Sequence, residues 1–156
     1  MTELKWCCRK REIELIQPNN NLAMGFLEKA KRSLEEINHA VYLESKINHA
    51  YYAMYNALYA LLQKAGIKSE IHACTFEIAR FFLSEYFHEE EIDYIEKGLQ
   101  LRIDATYYTD KKIPDKEALE MISKAPEIVA KCKSILPKIT EKNIKNIRNE
   151  ISRLKG

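Results

Sequence analysis

Glycine and proline are scarce in this 156-residue chain, with four of each. Because these residues form hairpins and tight turns, their scarcity argues against a many-stranded β fold and against a Gly-rich phosphate-binding loop. No uninterrupted apolar run exceeds six residues, which is far too short to cross a bilayer, and charges stand at Glu3 and Lys5 where an export segment would be apolar. We therefore expect a soluble, cytoplasmic protein with no membrane partner.

The cysteines show no metal-binding spacing. Cys7 and Cys8 are adjacent, Cys74 and Cys132 stand alone, and no C-x-x-C pair occurs. A structural zinc site normally needs such pairs, so none is expected. The pattern predicts free thiols in a reducing compartment, and we expect no cofactor.

Positive charge is unevenly distributed along the chain. The net charge is +2, but residues 137–156 alone carry +4, so residues 1–136 sum to −2. By charge, the body of the protein is not an electrostatic nucleic-acid binder, although the basic tail could assist one.

Apolar residues recur at helical spacing through most of the sequence. The spacing predicts an all-α, up-and-down bundle of about five core helices, over residues 22–41, 44–65, 72–83, 89–108 and 115–136. Residues 1–21 are predicted to form an N-terminal arm, and 22–136 the bundle. Residues 137–156 are predicted to form an appended basic helix, separable from the bundle because Pro137 interrupts the preceding one. Gly66 is the natural stop of the central helix.

Two Glu-x-x-His pairs, Glu36 with His39 and Glu85 with His88, resemble the ligands of a di-iron bundle. Such a site also needs two inward carboxylates at mid-helix, and the central helix has no acidic residue between Glu44 and Glu70. We therefore expect no metal site, and the histidines are interpreted as solvated residues at helix ends.

Arg102 borders the apolar stripe of the fourth helix and therefore needs a partner or a cleft. Pairing with a carboxylate is the structural interpretation. The functional one is a guanidinium that binds phosphate, with Asp104 and Tyr107 nearby. His72 begins the short third helix, where a histidine is more often a cap or a core residue than a catalyst.

A tyrosine-rich face marks the central helix. Its rings suit a core, a dimer interface or base stacking, and at helical spacing in so apolar a helix we favour core or dimer packing. The four residues are Tyr51, Tyr52, Tyr55 and Tyr59.

The run NHAYYAMYNA from Asn48, followed by Gly66, by His72 with Phe76 and by RIDATY from Arg102, resembles the HEPN domain family. It is most similar to the small archaeal and bacterial branch, whose archaeal members have a lead-in like KWCC at Lys5. The resemblance implies a helical homodimer that binds nucleotides and is often encoded beside a minimal nucleotidyltransferase in toxin–antitoxin pairs. On this basis the tyrosines form the dimer interface, and the ligand-binding residues are Arg102, Asp104, Tyr107, Tyr108 and His72.

Ribonucleases that resemble this chain carry an arginine and then, after four to six residues, a histidine at the dimer cleft. Arg102 matches the arginine, but Tyr107, Tyr108 and Thr109 occupy the three possible histidine positions. Tyrosine, with a pKa near 10, is a poor general base at neutral pH. Thr106 also replaces the family's aspartate. If the chain has catalytic residues, we expect Arg102 and Tyr107.

Three functions remain open from the sequence. The first is a dimeric nucleotide- or RNA-binding module partnered with a nucleotidyltransferase-type protein. The second is a metal-independent ribonuclease toxin. The third is a purely structural interaction module whose basic tail docks an acidic partner.

Overall fold

A computed structural model describes residues 2–110 and 112–156 of the chain. In that part the chain forms seven α-helices, with a short 3-10 turn at Leu136–Lys138 before the last one. They are α1 (Thr2–Arg9), α2 (Asn20–His39), α3 (Leu43–Lys64), α4 (His72–Phe82), α5 (Glu89–Tyr107), α6 (Asp115–Ile135) and α7 (Glu141–Lys155). The predicted all-α bundle is confirmed. None of these helices is both long and apolar enough to span a membrane.

Helix α3 is the centre of the bundle and packs against α2, α5 and α6. It carries no charged side chain between Lys46 and Lys64, so nearly its whole circumference can be buried. It ends where predicted, because Gly66 adopts a φ of 70°, which an L-residue with a side chain rarely takes.

The helix starts follow local capping signals. The Asn19 side chain accepts a hydrogen bond from the backbone N–H of Leu22 at the start of α2. At α5, the Glu91 side chain accepts from the backbone N–H of His88, and three glutamates lie at the positive end of the helix dipole. The predicted helices therefore agree with the structure to within a few residues.

The N-terminal arm contains more structure than the sequence predicted. Helix α1 has two turns with Leu4, Cys7 and Cys8 buried. Strand β1 (Ile13–Leu15) pairs antiparallel with β2 (Ile67–Ser69). A three-residue strand whose partner is some fifty residues away has no local periodicity, so the sequence pattern could not reveal it.

Cys7 and Cys74 form a disulfide that joins α1 to α4, with their Cα atoms 5.7 Å apart. The expectation of free thiols is therefore wrong for this pair. The two cysteines are 67 residues apart and only the tertiary fold brings them together. Cys8 and Cys132 remain free and buried, and burial raises the pKa of the Cys132 thiol to about 12.

Helix α7 contributes four buried side chains to the same core as α3, namely those of Ile144, Ile147, Ile151 and Leu154. Beside them, one guanidinium nitrogen of Arg148, Nη1, donates to the carbonyl oxygens of Ile16, Ala65 and Gly66 at 2.7, 3.1 and 3.1 Å. These bonds add a charged donor where α3 ends beside Ile16, at carbonyls of which that of Gly66 also accepts from the backbone N–H of Ile16.

Candidate functional site

His72, the first residue of α4, lies against the tyrosine face of α3. Its Nδ1 is 2.6 Å from the Tyr51 hydroxyl, and its ring stacks on Tyr55 with centroids 4.2 Å apart and planes 15° apart. The Tyr55 hydroxyl is in turn 3.0 Å from Oγ1 of Thr75, one turn along α4. These contacts fix the position and the plane of the imidazole.

The protonation states of His72 and Tyr51 follow from their surroundings. Burial raises the pKa of Tyr51 well above its usual value, so its hydroxyl keeps the proton. Burial, and the positive charge of Arg102 nearby, lower the pKa of His72, so its imidazole is neutral near pH 7. Tyr51 therefore donates to Nδ1 and the ring proton resides on Nε2, which makes Nε2 a hydrogen-bond donor.

Arg102, on α5, is held without a carboxylate. Its Nε donates to Oδ1 of Asn48 at 3.1 Å, and its guanidinium carbon lies 4.9 Å from the centroid of the Tyr52 ring. Arg80 shows the alternative, since its guanidinium pairs with Glu77, Asp93 and Glu96. Within residues 2–110 and 112–156, Arg102 has no ion pair.

Tyr52 connects the two halves of the site. Its ring meets the His72 ring edge to face at 6.4 Å between centroids, and the Arg102 guanidinium covers it. Tyr52, His72 and Arg102 are all half-buried, so each is partly open to solvent. We call Asn48, Tyr51, Tyr52, His72 and Arg102 the anion site.

The donors of this site suit an anion rather than a metal ion. A guanidinium and a protonated imidazole nitrogen offer hydrogen bonds and positive charge, which carboxylate or phosphate oxygens accept. A metal ion would need several His, Cys, Asp or Glu ligands, and no group of three or more suited to one occurs among the described residues.

The other predicted ligand-binding residues lie elsewhere, on α5 or just past its end. Asp104 accepts a hydrogen bond from Gln100 and lines a small groove of about 150 Å³ between α5 and α6. Tyr108 lines a different groove, near the start of α3. Tyr107 ends α5 with two-thirds of its surface exposed. Of the predicted set, the structure brings together Arg102 and His72.

Three of the four tyrosines predicted at the dimer interface are buried within one chain: Tyr51, Tyr55 and Tyr59. The hydroxyl of Tyr59 accepts from the backbone N–H of Ser69 in β2 at 3.1 Å, so this ring helps fix the short sheet. Of the four, only Tyr52 is substantially accessible to a second molecule.

Sequence reasoning missed the supporting roles of Asn48 and Tyr51. Asn48 precedes Tyr52 by four residues, so both lie on one helix face, and this spacing was the available signal. No signal placed Tyr51 beside His72, because the contact is between different helices, 21 residues apart in the sequence.

Comparisons with known proteins identify the family of the chain. No curated protein matches the chain. The family model of the HEPN domain matches residues 21–135, which include every member of the anion site and helices α3 to α6. The match covers well over half of the chain and agrees with the helical bundle described above. The chain therefore belongs to the HEPN domain family.

Proposed function

We propose that this chain is a nucleotide- or RNA-binding module and that it binds a phosphate group at the anion site. The family is nucleotide- or RNA-related in general, and the residues present fit a phosphate ligand. In this proposal Arg102 supplies charge and a planar pair of donors, His72 donates from Nε2, and Tyr52 offers a ring beside both.

The proposal rests on how Arg102 is positioned. Its guanidinium is hydrogen-bonded to Asn48 and lies over the ring of Tyr52. A guanidinium already neutralised by carboxylates, like that of Arg80, has little to offer an incoming anion. Arg102 is oriented by a neutral amide and an aromatic face, so its charge and its terminal nitrogens remain available, with no ion pair in the part of the chain that the structure describes. Holding the group in place in advance also reduces the entropy that binding costs.

The same geometry is a weaker support for a ribonuclease. A general base needs an unprotonated nitrogen that faces the substrate. In His72 the unprotonated Nδ1 accepts from Tyr51, and Tyr107 stands exposed at the end of α5. We therefore favour binding over cleavage by this site.

Assembly is a further part of the proposal. We propose a homodimer through the face that carries Tyr52, because a two-fold axis there would bring two anion sites close together. Partnership with a nucleotidyltransferase-type protein, in a toxin–antitoxin pair, rests on the family resemblance. A cytoplasmic location stays a prediction, and the Cys7–Cys74 disulfide argues against it, because cytosolic thiols are kept reduced.

The test is a thermal-shift and calorimetric screen of Arg102→Ala against the parent, with mononucleotides and short RNAs as ligands. A ligand at a hundred times its Kd should stabilise the parent by about 2.7 kcal/mol. Arg102→Ala should lose roughly 1.5–3 kcal/mol of binding free energy, because charge-assisted hydrogen bonds disappear. Its free energy of unfolding without ligand should fall by only about 1–2.5 kcal/mol, since one hydrogen bond and one cation–π contact are lost.

Arg102→Lys and Arg32→Ala complete the design. Lysine keeps the charge without the planar fork, so it should restore binding only in part. Arg32 is exposed on α2, and its replacement should leave binding unchanged. Unaltered affinity of Arg102→Ala for every nucleotide and RNA that binds the parent would refute the proposed site. The absence of any such ligand would favour a purely structural module.

A further inference from the structure

Two basic segments from opposite ends of the chain meet in the fold. Residues 2–11 carry a net charge of +3 and residues 137–156 carry +4, which leaves −5 for residues 12–136. Helix α1 packs against α7, and the charge of Lys155 acts on the buried thiol of Cys8. The net positive charge of the chain is therefore carried by two segments that adjoin in the fold.

The outer face of α1 presents an aromatic ring among cations. Leu4, Cys7 and Cys8 are buried on the inner face, while the opposite face carries exposed residues. At about 100° per residue, Trp6 lies near the middle of the exposed face, with cations on both sides and the carboxylate of Glu3 on one of them. Those cations are Lys5, Arg9 and Lys10. The Trp6 side chain is 51% exposed, although tryptophan is a residue that folding normally covers.

The outer face of α7 continues the same chemistry. Its inner face holds the four core side chains, and Arg148 is engaged with three backbone carbonyls. The exposed residues include two lysines and two amides, namely Lys142, Lys145, Asn146 and Asn149, whereas Arg153 pairs with Glu150. Amide side chains both donate and accept hydrogen bonds, so this face can contact sugars and bases as well as phosphates.

We propose that the outer faces of α1 and α7 form a second binding surface, for single-stranded nucleic acid, in which a base stacks on Trp6 and the flanking lysines and arginines bind the phosphates. Exposed aromatic rings within a basic groove are how single strands are bound without sequence preference. The carboxylates of an acidic protein would pair with the cations but would offer no ring to stack on the indole of Trp6. The surface is separate from the anion site, and both helices lie outside residues 21–135, the part that the family model matches.

The experiment uses Trp6 as its own probe, because it is the only tryptophan in the chain. The full-length protein is titrated with a single-stranded RNA of about 12 nucleotides, with DNA of the same sequence, and with polyglutamate as a purely acidic polymer. Stacking of a base on the indole should quench tryptophan fluorescence. Either oligonucleotide can provide a base that stacks. A difference between the affinities for RNA and DNA reports whether the 2′-hydroxyl contributes.

Variants separate the ring from the charge. Trp6→Ala, followed by anisotropy of the labelled RNA, should bind roughly 5- to 150-fold more weakly because a stacking contact is lost. Lys5→Ala/Lys10→Ala should reduce the slope of log affinity against log salt by about 1.4, for two lost phosphate contacts on a single strand. Lys31→Ala/Arg32→Ala removes two exposed charges from α2 and is the matched control. Circular dichroism checks that each variant is folded.

The proposal is supported by quenching with RNA or DNA together with a loss confined to the α1 variants. It is overturned if neither oligonucleotide quenches Trp6, if the α2 control loses as much affinity, or if polyglutamate binds with the same affinity and the same dependence on Lys5 and Lys10. The result is also distinguishable from failure of the anion site, since Arg102→Ala should leave the quenching intact while it weakens mononucleotide binding.

Discussion

His72 Nδ1 and the Tyr51 hydroxyl are 2.6 Å apart, and this hydrogen bond joins the first residue of α4 to the middle of α3. Tyr51 is fully buried, and the high pKa of its hydroxyl makes it the donor. The bond therefore selects the neutral imidazole with its proton on Nε2. One contact thus fixes the ring, its tautomer and the group that it can offer to a ligand.

The stability of the fold should decrease below about pH 6.5, the ordinary pKa of histidine. Because the pKa of His72 is lowered in the folded chain, the unfolded chain binds more protons at this position between the two pKa values. The contribution of His72 to the free energy of unfolding therefore rises with pH through that window and is constant above it. Thermal melting at a series of pH values from 5 to 8 measures the slope of the free energy of unfolding against pH, for the parent and for His72→Gln.

Replacement of His72 should flatten this profile. A profile that stays equally steep in His72→Gln would contradict the assignment of the slope to this imidazole.

Tyr51→Phe should raise the pKa of His72 while the ring stays in place. The hydroxyl donates only to the neutral imidazole, so its removal no longer disfavours protonation. The fold should also lose roughly 1–3 kcal/mol, because the Nδ1 acceptor is left without its partner. NMR titration of the His72 ring protons measures the shift.

Tyr59→Phe is the matched control, since Tyr59 is also buried and its hydroxyl also makes one hydrogen bond, here accepting from the backbone N–H of Ser69. It should lower stability without changing the titration of His72. Equal shifts in both variants would show that the effect comes from loosened packing and not from the Tyr51 bond.

Much of the fold is predictable because its determinants are local. The apolar circumference of α3, the φ of 70° at Gly66 and the cap at Asn19 each depend on a single continuous stretch of sequence. The pairing of β1 with β2 and the Cys7–Cys74 bond are not predictable in this way, because both depend on segments more than fifty residues apart.

The candidate site was likewise predictable only where its determinants are local in the sequence. Arg102 was identifiable because a cation beside an apolar stripe is unusual on any helical wheel. Its partners were not, since Asn48 and Tyr52 lie on α3, and His72, the histidine on which its charge acts, comes before it in the sequence, on α4. A motif that expects histidine after arginine could not find a histidine supplied by another helix.

Only two of the four cysteines should react with a thiol reagent when the non-reduced protein is denatured. These are Cys8 and Cys132, since Cys7 and Cys74 are joined. Reduction should lower the free energy of unfolding by about 4 kcal/mol, because the bond closes a long loop in the unfolded chain. Cys7→Ser/Cys74→Ser should melt like the reduced parent, and a count of four reactive thiols without reductant would show that the bond is absent.

Truncation after Leu136 should abolish cooperative melting, the reverse of the separable tail that Pro137 suggested in the sequence. The deletion uncovers the core side chains that pack under Ile144, Ile147, Ile151 and Leu154. It also removes Arg148 from the carbonyls of Ile16, Ala65 and Gly66, where α3 ends against β1.

Point variants separate the two contributions of α7. Ile151→Ala should cost about 2–5 kcal/mol, as expected for a large side chain removed from a fully buried position. Arg148→Ala should cost roughly 1–3 kcal/mol, because three carbonyl oxygens lose a charged donor. Arg153→Ala, whose guanidinium pairs with Glu150 at the exposed surface of the same helix, should leave the stability nearly unchanged. Chemical denaturation measures all three, and a truncated chain that still unfolds in one sharp transition would show that residues 2–136 hold a complete core without α7.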